Sequence, residues 1–319
     1  MSSVPSPRSF AGYFESIVTN VARVLRGKNE VIELALVGLL SDGHLLIEDV
    51  PGVGKTSLAK AFARSIDLTW RRIQFTPDLL PSDLVGVSIW SRATETFDFQ
   101  PGPVFANIVL ADEINRASPK TQSALLEAME ERQVTVDGST RTLPRPFLVI
   151  ATQNPVEQEG TYRLPESQLD RFLIRLSIGY PDRTAETEIL EASTSGDALA
   201  GLSPVIGAGE VNAMIDATAG VRMVDVLKDY IVSISHTSRR HPAVALGFSP
   251  RATQQLARAS RTLAAARGRD YVIPDDVKEL AVPVLAHRLL IRRDAGGRAA
   301  SAPDVVREIV ASVPVPSGR

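Results

Sequence analysis

The sequence predicts an α/β fold, in which a parallel sheet with helices on both faces is followed by a second, helical domain. Short apolar runs alternate with segments of helical periodicity over the first part of the chain, which is typical of parallel strands joined by helices. After about residue 180 helical segments dominate. With 319 residues, 44% of them hydrophobic, the chain can bury a sizeable core, and two domains are expected, at residues 1–181 and 182–319.

The predicted elements begin with a pair of helices. These helices, Phe14–Val24 and Val31–Leu40, carry apolar residues at helical spacing and precede the first strand. The predicted strands of the sheet are His44–Glu48, Trp70–Phe75, Ile108–Asp112, Phe147–Thr152 and Phe172–Ile178. From Pro181 onward no strand is expected, and the predicted helices are Thr184–Thr194, Val224–Thr237, Arg251–Arg267 and Asp275–Arg288.

Composition excludes several classes of function. The chain has 35 Lys and Arg against 37 Asp and Glu, and this net charge of -2 argues against general binding to nucleic acid or anionic membranes. It has no cysteine, and its 4 histidines are scattered, which argues against a structural zinc site. No apolar stretch approaches the ~18 residues of a membrane span, and the N-terminus lacks the apolar core of a signal peptide. A cytoplasmic protein without direct membrane insertion is expected.

A phosphate-binding loop is predicted where the first strand meets the next helix. The segment Gly52–Thr56 (GVGKT) offers glycines that let backbone N–H groups converge on phosphate oxygens, and the helix N-terminus adds partial positive charge. Lys55 would bridge the outer phosphates of ATP, and the Thr56 hydroxyl would ligate Mg²⁺. The alternative is a turn that merely needs glycines. The residues predicted to bind nucleotide are Pro51, Gly52, Val53, Gly54, Lys55, Thr56 and Ser57.

This loop departs from the usual pattern at one position. The pattern G-x-x-x-x-G-K-[ST] begins with glycine, and the corresponding residue here is Asp49. An acid is thus expected close to where an anion should bind.

Polar residues end two later strands of the predicted sheet. The run Asn107–Glu113 (NIVLADE) ends in two acids, of which Asp112 would hold Mg²⁺ through water and Glu113 would orient and deprotonate the attacking water. Asn154 follows another strand, at the edge where ligands bind in open α/β sheets, and would hold the water or the terminal phosphate. A solvated strand end and an ordinary Asn-Pro turn are the respective alternatives.

Two arginines are further candidates for the catalytic site. Arg171 immediately precedes a predicted strand, and its planar donor fork could reach a phosphate across a subunit boundary. A plain salt bridge with Asp170 or a neighbour is the alternative. Arg251 follows Ser249 and Pro250 in the predicted first turn of a helix, where a cation opposes the helix dipole unless an anion binds nearby. An exposed arginine that tolerates this cost is the alternative.

Five motifs in this order and spacing resemble those of the MoxR family of AAA+ ATPases, which is related to the magnesium-chelatase-type clade. They are EDVPGVGKT, VLADEINRA, ATQNP, LPESQLDRF and LGFSPRAT, and the resemblance covers roughly residues 25–290. It implies a sheet with strand order 5-1-4-3-2, a C-terminal helical lid, and a homo-oligomeric ring, usually hexameric, that hydrolyses ATP with Mg²⁺.

The resemblance also implies a role for each candidate residue. Asn154 matches the first sensor, Arg171 the arginine finger and Arg251 the second sensor, which reports the nucleotide state from the lid. Members of the family resemble this chain in having an acid at the position of Asp49. They act as chaperone-like factors in maturation or metal-cofactor insertion of partner proteins, often with a partner that carries a von Willebrand A domain.

Two hairpins are expected to project from the nucleotide domain. The alternating residues between Leu84 and Pro103 resemble a hairpin inserted there in the clade, and Arg132–Leu143 reads as two short strands around Asp137-Gly138. Both would face the pore or one face of the ring, where a client could be gripped. Surface hairpins needed only for folding are the alternative.

The sequence is compatible with three other functions. A magnesium-chelatase-like motor subunit is the nearest enzyme alternative. A DNA-directed translocase or transcription activator is another, although the near-neutral charge argues against it. The third is a switch that binds nucleotide and cycles slowly or not at all.

Overall fold

A computed structural model describes residues 5–154, 162, 164–187, 199–292 and 300–316 of the chain. Two helices, α1 (Pro7–Ala22) and α2 (Asn29–Leu40), precede the first strand as predicted. Within the described ranges, none of the helices combines the length and apolar character that crossing a membrane requires.

A five-stranded parallel sheet forms the centre of the nucleotide domain. Its strands are β1 (Leu45–Glu48), β2 (Trp70–Gln74), β5 (Ile108–Asp112), β8 (Leu148–Gln153) and β9 (Ile174–Leu176). They lie in the order β2-β5-β8-β1-β9, which is the predicted order 5-1-4-3-2 when the sheet strands alone are numbered. The helices associated with this part of the chain are α3 (Lys55–Ser65), α4 (Pro81–Val85), α5 (Pro119–Glu131) and α6 (Glu166–Leu169).

The register of the sheet brings the carboxyl ends of its central strands to one edge. Gln74 at the end of β2 lies opposite Asp112 at the end of β5. Glu48 at the end of β1 lies opposite Gln153 at the end of β8. Because all these strands are parallel, the loops that follow them emerge side by side.

Both predicted hairpins are present. One consists of β3 (Gly86–Ser91) and β4 (Thr96–Pro101). The other consists of β6 (Gln133–Val136) and β7 (Ser139–Thr142), and its two turn residues, Asp137 and Gly138, have φ of 51° and 75°. Positive φ at both positions is the conformation that Asp-Gly favours in a two-residue hairpin turn.

The second part of the chain is mainly helical, but it also contains strands, so the expectation of none after Pro181 was wrong. A short antiparallel pair joins β10 (Val244–Leu246) to β11 (Leu290–Ile291). Strands of three and two residues are too short to show an alternating pattern in sequence. The helices here are α7 (Ala208–Thr218), α8 (Asp225–Arg240), α9 (Pro250–Ala266), α10 (Pro274–Leu285) and α11 (Ala302–Ser312).

The predictions of helices in this region are confirmed for α8, α9 and α10, and a short 3-10 turn, Ala286–Arg288, follows α10. Helices α7 and α11 were not predicted from the sequence. Of the predicted helix Thr184–Thr194, the part after residue 187 lies outside the described residues.

Apolar packing continues across the predicted domain boundary. One core unites α1 and α2 with one face of the sheet and with the lid helices, and Phe10, Leu36 and Leu256 are almost fully buried within it. A buried hydrogen bond of 2.8 Å joins the Ser41 hydroxyl after α2 to the Thr262 hydroxyl in α9. Because this packing is continuous, it does not mark a boundary between two domains. The division between residues 181 and 182 therefore stays a prediction.

A buried arginine ties the lid to the loop before β9. Arg288 Nε donates to Asp170 Oδ1 at 2.8 Å, and its guanidinium also donates to the carbonyl of Phe172. Burial lowers the pKa of Arg288 to about 10, while the Asp170 carboxylate counteracts that shift. Arg171, the candidate finger, thus lies between two residues that are bonded to the lid.

Candidate nucleotide site

The predicted phosphate loop lines an open cavity of about 350 Å³ at the carboxyl edge of the sheet. Gly52 and Gly54 adopt φ of 86° and 100°, a conformation that side chains rarely permit, and α3 begins directly afterwards at Lys55. The side chain of Val53 instead packs against the core. The residues that line the cavity are Asp49, Pro51, Gly52, Gly54, Lys55, Thr56, Ser57, Arg72, Gln74, Asp112, Glu113 and Asn154.

Asp49 has a structural role at the start of the loop. Its carboxylate accepts hydrogen bonds from the backbone N–H groups of Ile178 and Gly179 and, at 3.1 Å, from the Ser177 hydroxyl. The side chain is therefore bonded to the segment after β9, and several donors compensate its charge. These contacts stabilise the carboxylate and hold it against the segment after β9.

Lys55 occupies the position predicted for binding the outer phosphates. Its ammonium donates to the backbone carbonyl of Asp49 at 2.7 Å, which holds the side chain across the loop. Partial burial lowers the pKa of Lys55, and the nearby carboxylates of Asp112, Asp49 and Glu113 counteract that shift. The only lysine among the described residues that line this cavity thus faces three acids, and its charge is available to an anion bound between them.

Asp112 is held by two neighbours. The Thr152 hydroxyl donates to Asp112 Oδ1 at 2.6 Å and accepts from the backbone N–H of Glu113 at 2.9 Å. On the other side, Arg72 in β2 donates through Nη2 to Asp112 Oδ2 at 2.6 Å. Thr152 fixes the orientation of the carboxylate, while Arg72 neutralises it.

Glu113 projects into the same cavity from a strained backbone position. Its φ of 56° lies in the left-handed region, which turns the chain sharply from β5 into the following 3-10 turn. Gln74 Nε2 and Arg116 Nη1 both donate to Glu113 Oε2, at 3.0 and 2.7 Å. The carboxylate predicted to act as base is therefore held by hydrogen bonds from two side chains.

The oxygen groups at this end of the cavity fit a magnesium ion that is bound together with a nucleotide. The Thr56 hydroxyl and the Asp112 carboxylate both line the cavity. Mg²⁺ prefers oxygen ligands and is usually held by one or two protein groups together with phosphate oxygens and water. Among the described residues no group of three His, Cys, Asp or Glu side chains could hold a metal alone. A magnesium ion here would therefore need oxygens from the nucleotide.

Asn154 lines this cavity, as predicted, whereas Arg171 and Arg251 lie elsewhere. Arg171 is not paired with Asp170, because Asp170 binds Arg288 and the Ser249 hydroxyl. Both arginines instead line a second cavity of about 240 Å³, beside Arg132 and Arg258. Within one chain, the two predicted arginines are thus separated from the phosphate loop and lie next to each other.

One carboxylate joins these two arginines. Glu130, at the end of α5, pairs with Arg171 at 3.2 Å through Oε2 and with Arg251 at 2.9 Å through Oε1. Arg251 stands in the first turn of α9, which Ser249 caps by accepting from the N–H of Ala252, as the sequence predicts. The anion expected beside this helix N-terminus is therefore supplied, within the chain, by Glu130.

Among the residues of these two clusters that sequence reasoning missed are Arg72, Gln74, Thr152 and Glu130. Arg72 and Gln74 could have been found from the predicted strand order. That order places β2 beside β5, so polar residues near the end of β2 must lie close to Asp112. No sequence pattern singles out Glu130, because three of the last five residues of α5 are glutamates.

Comparisons with known proteins agree with this architecture. The model of the ATPase family associated with various cellular activities (AAA) matches residues 44–174, and that of the AAA lid domain matches residues 236–309. Chaperone MoxR1 of Mycobacterium tuberculosis is 43% identical, over 95% of this chain and 82% of its own length. An uncharacterized Bacillus subtilis protein, YeaC, is 51% identical, over 95% of this chain and 94% of its own. The crystal structure of a proposed ATPase from Cytophaga hutchinsonii has a TM-score of 0.91 and 36% identity, covering 98% of this chain and 97% of that one.

The sheet order, the loop between β1 and α3 and the helical lid define a nucleotide-binding ATP hydrolase of the AAA+ class. Within that class, identity to MoxR1 over nearly the whole chain places this chain in the MoxR family of chaperone-like ATPases.

Replacement of Lys55 by alanine should weaken ATP binding at least tenfold, because it removes the charge expected to bridge the outer phosphates. Calorimetric titration with ATP measures this affinity. Lys60→Ala is the matched control, since Lys60 lies on the same helix with its ammonium over the Trp70 ring. Equal ATP affinity in the two variants would contradict the assignment of the phosphate loop.

Proposed function

We propose that this chain hydrolyses MgATP at the interfaces of a homo-oligomeric ring of six subunits, and that it uses the energy to remodel partner proteins. The observation that carries the proposal is the separation of two half-sites within one chain. The phosphate loop, Asp112, Glu113 and Asn154 share one cavity, whereas Arg171 and Arg251 share another. Repetition of the chain around a ring would bring the second half-site of each subunit to the first half-site of its neighbour.

The residues of the first half-site divide the chemistry among them. The phosphate loop and Lys55 would bind the phosphates, and Thr56 with Asp112 would hold Mg²⁺, which neutralises charge on the phosphate oxygens. Glu113 would accept a proton from water as the water oxygen attacks the terminal phosphorus and the bond to ADP breaks. Asn154 would orient that water or the terminal phosphate.

The residues of the second half-site would act on the neighbour. Arg171 and Arg251 carry planar donor groups that suit phosphate oxygens, and charge on the transferring phosphoryl group is what such donors stabilise. Their position beside each other supports a joint action in trans. Arg251, which lies in the lid of its own subunit, would then sense the nucleotide state of the neighbouring subunit.

A chaperone-like role is supported by the name of the relative, Chaperone MoxR1, and by the β3–β4 hairpin, and the family resemblance suggests maturation or metal-cofactor insertion of partner proteins as the task. Trp90 and Phe97 on this hairpin are 50% and 70% exposed and pack edge to face at 5.1 Å. Exposed aromatic residues of this kind mark contact sites for other proteins. A client, or a partner with a von Willebrand A domain, would bind this face.

A cytoplasmic location remains a prediction from the sequence.

Replacement of Glu113 by glutamine should preserve ATP binding and reduce turnover at least a hundredfold, because the amide keeps the shape but cannot accept the proton. Steady-state phosphate release and nucleotide titration measure the two properties. Glu127→Gln, an exposed position on α5, is the control for loss of a negative charge. Turnover near the wild-type rate would show that another group is the base.

Replacement of Arg171 by alanine should leave ATP affinity almost unchanged and lower turnover by ~10³, since a finger acts mainly on the transition state. A mixture of Arg171→Ala with Glu113→Gln subunits should regain part of the activity, because some interfaces then join an intact finger to an intact base. Arg222→Ala, which removes a 71% exposed arginine, is the control. Inactivity of the mixture, with mixed rings confirmed by native mass spectrometry, would contradict the interface mechanism.

Shortening the β6–β7 hairpin should spare ATP binding and reduce stimulation by a partner. Val134 and Leu143 are buried, so the cut must leave both in place. Replacing residues 135–140 by Asn-Gly closes the ladder after the Val134–Arg141 pair with a two-residue turn. Turnover is measured with and without a von Willebrand A domain protein from the same organism. Loss of ATP affinity would instead favour a purely structural hairpin.

A further inference from the structure

The carboxylate of Glu130 holds together two cations that come from different parts of the fold. Arg171 stands in the loop before β9, and Arg251 stands in the first turn of lid helix α9. The side chains of Glu130, Arg171 and Arg251 are each about one third exposed, at 34%, 30% and 38%. Two guanidinium groups at this spacing repel each other unless an anion lies between them, and Glu130 supplies that anion with one oxygen for each arginine.

These contacts leave both arginines able to bind a phosphate. Arg171 uses Nη1 for the carbonyl of Leu126 at 2.7 Å and Nη2 for Glu130, and Arg251 uses Nη1 for Glu130. A guanidinium carries five N–H donors, so neither side chain is saturated by these partners among the described residues. Glu130 therefore fixes one edge of each guanidinium and leaves donors on the other atoms.

A second carboxylate of the cavity pairs with its two other arginines. In the same cavity, Asp42 pairs with Arg132 at 3.1 Å and with Arg258 at 3.2 Å. Within this cavity four arginines share two carboxylates, while Glu127 and Glu131 line a neighbouring cavity together with Arg171 and Glu130.

The position of Glu130 is also well defined. It lies in the last turn of α5, and the start of that helix is fixed because the buried amide of Gln122 donates to the carbonyls of Ile114 and Ala117, at 3.1 and 3.2 Å. The helix as a whole is anchored to the turn that follows Glu113.

We propose that Glu130 is a positioning residue, which sets the spacing and direction of Arg171 and Arg251 so that both donate to the same phosphoryl group in the neighbouring subunit. The inference rests on the proposed function, in which the two arginines act in trans. Glu130 itself would not touch the nucleotide. Its removal would leave each arginine present but wrongly placed.

The first test replaces Glu130 by glutamine and by alanine. Turnover should fall roughly 10- to 100-fold in the glutamine variant, because displacement of a positioned group by about 1 Å has an effect of this size. The Michaelis constant for ATP should change less than about twofold, since the phosphate loop is untouched. The loss should be larger for Glu130→Ala, because glutamine still offers one acceptor oxygen to one arginine. Glu131→Gln, at the exposed next position, is the matched control and should keep wild-type turnover.

The second test is complementation between subunits, followed by phosphate release and native mass spectrometry. Glu130→Gln mixed with Glu113→Gln should regain activity, because the two lesions lie on opposite sides of an interface. Glu130→Gln mixed with Arg171→Ala should stay at the low level of the separate variants, because both lesions lie on the side that presents the arginines.

Four results would overturn the proposal. Recovery in the mixture with Arg171→Ala would place Glu130 in its own nucleotide site. Wild-type turnover of Glu130→Gln would show that the shared carboxylate is dispensable, and loss of ATP affinity or ring assembly in both Glu130 variants would make its role structural. The mixture of Arg171→Ala with Glu113→Gln distinguishes failure of this inference from failure of the proposed function. If that mixture regains activity but the mixture of Glu130→Gln with Glu113→Gln does not, only the inference about Glu130 fails. If neither mixture regains activity, the interface mechanism fails as well.

Discussion

The parallel pairing of β2, β5, β8 and β1 is the constraint on which the nucleotide site depends. Parallel neighbours end at the same edge, so the phosphate loop after β1, the acids after β5 and Asn154 after β8 converge there. The hydrogen bonds of Thr152 to Asp112 and to the N–H of Glu113 join two of these strand ends. A shift of one residue in this register would turn the acids away from the loop.

Charge is distributed differently at the two clusters. Around the phosphate loop, Asp49 accepts from backbone N–H groups, and Asp112 and Glu113 each pair with an arginine of the same chain. In the cavity of Arg171 and Arg251, by contrast, two acids are each shared by two arginines.

The sequence was sufficient for most of what depends on periodicity and on contiguous motifs, with α7 and α11 as the helices that were not predicted. The strand order, both hairpins and the convergence of Lys55, Asp112 and Glu113 belong to this group, because each follows from local patterns and from the family resemblance. The short pair β10–β11 could not be predicted, since two or three residues show no period. Glu130 could not be predicted either, because its importance depends on tertiary packing that brings the lid against α5.

The contacts of Asp49 have a consequence for the recognition of such loops by pattern. The first glycine of the usual motif is needed where the backbone or a side chain would otherwise obstruct the ligand, yet here the side chain is bonded to the residues after β9. The loop geometry is carried by Gly52 and Gly54 alone, with their positive φ. A search that demanded glycine at the first position would discard this chain, whereas one that required only the last glycine, the lysine and the following hydroxyl would retain it.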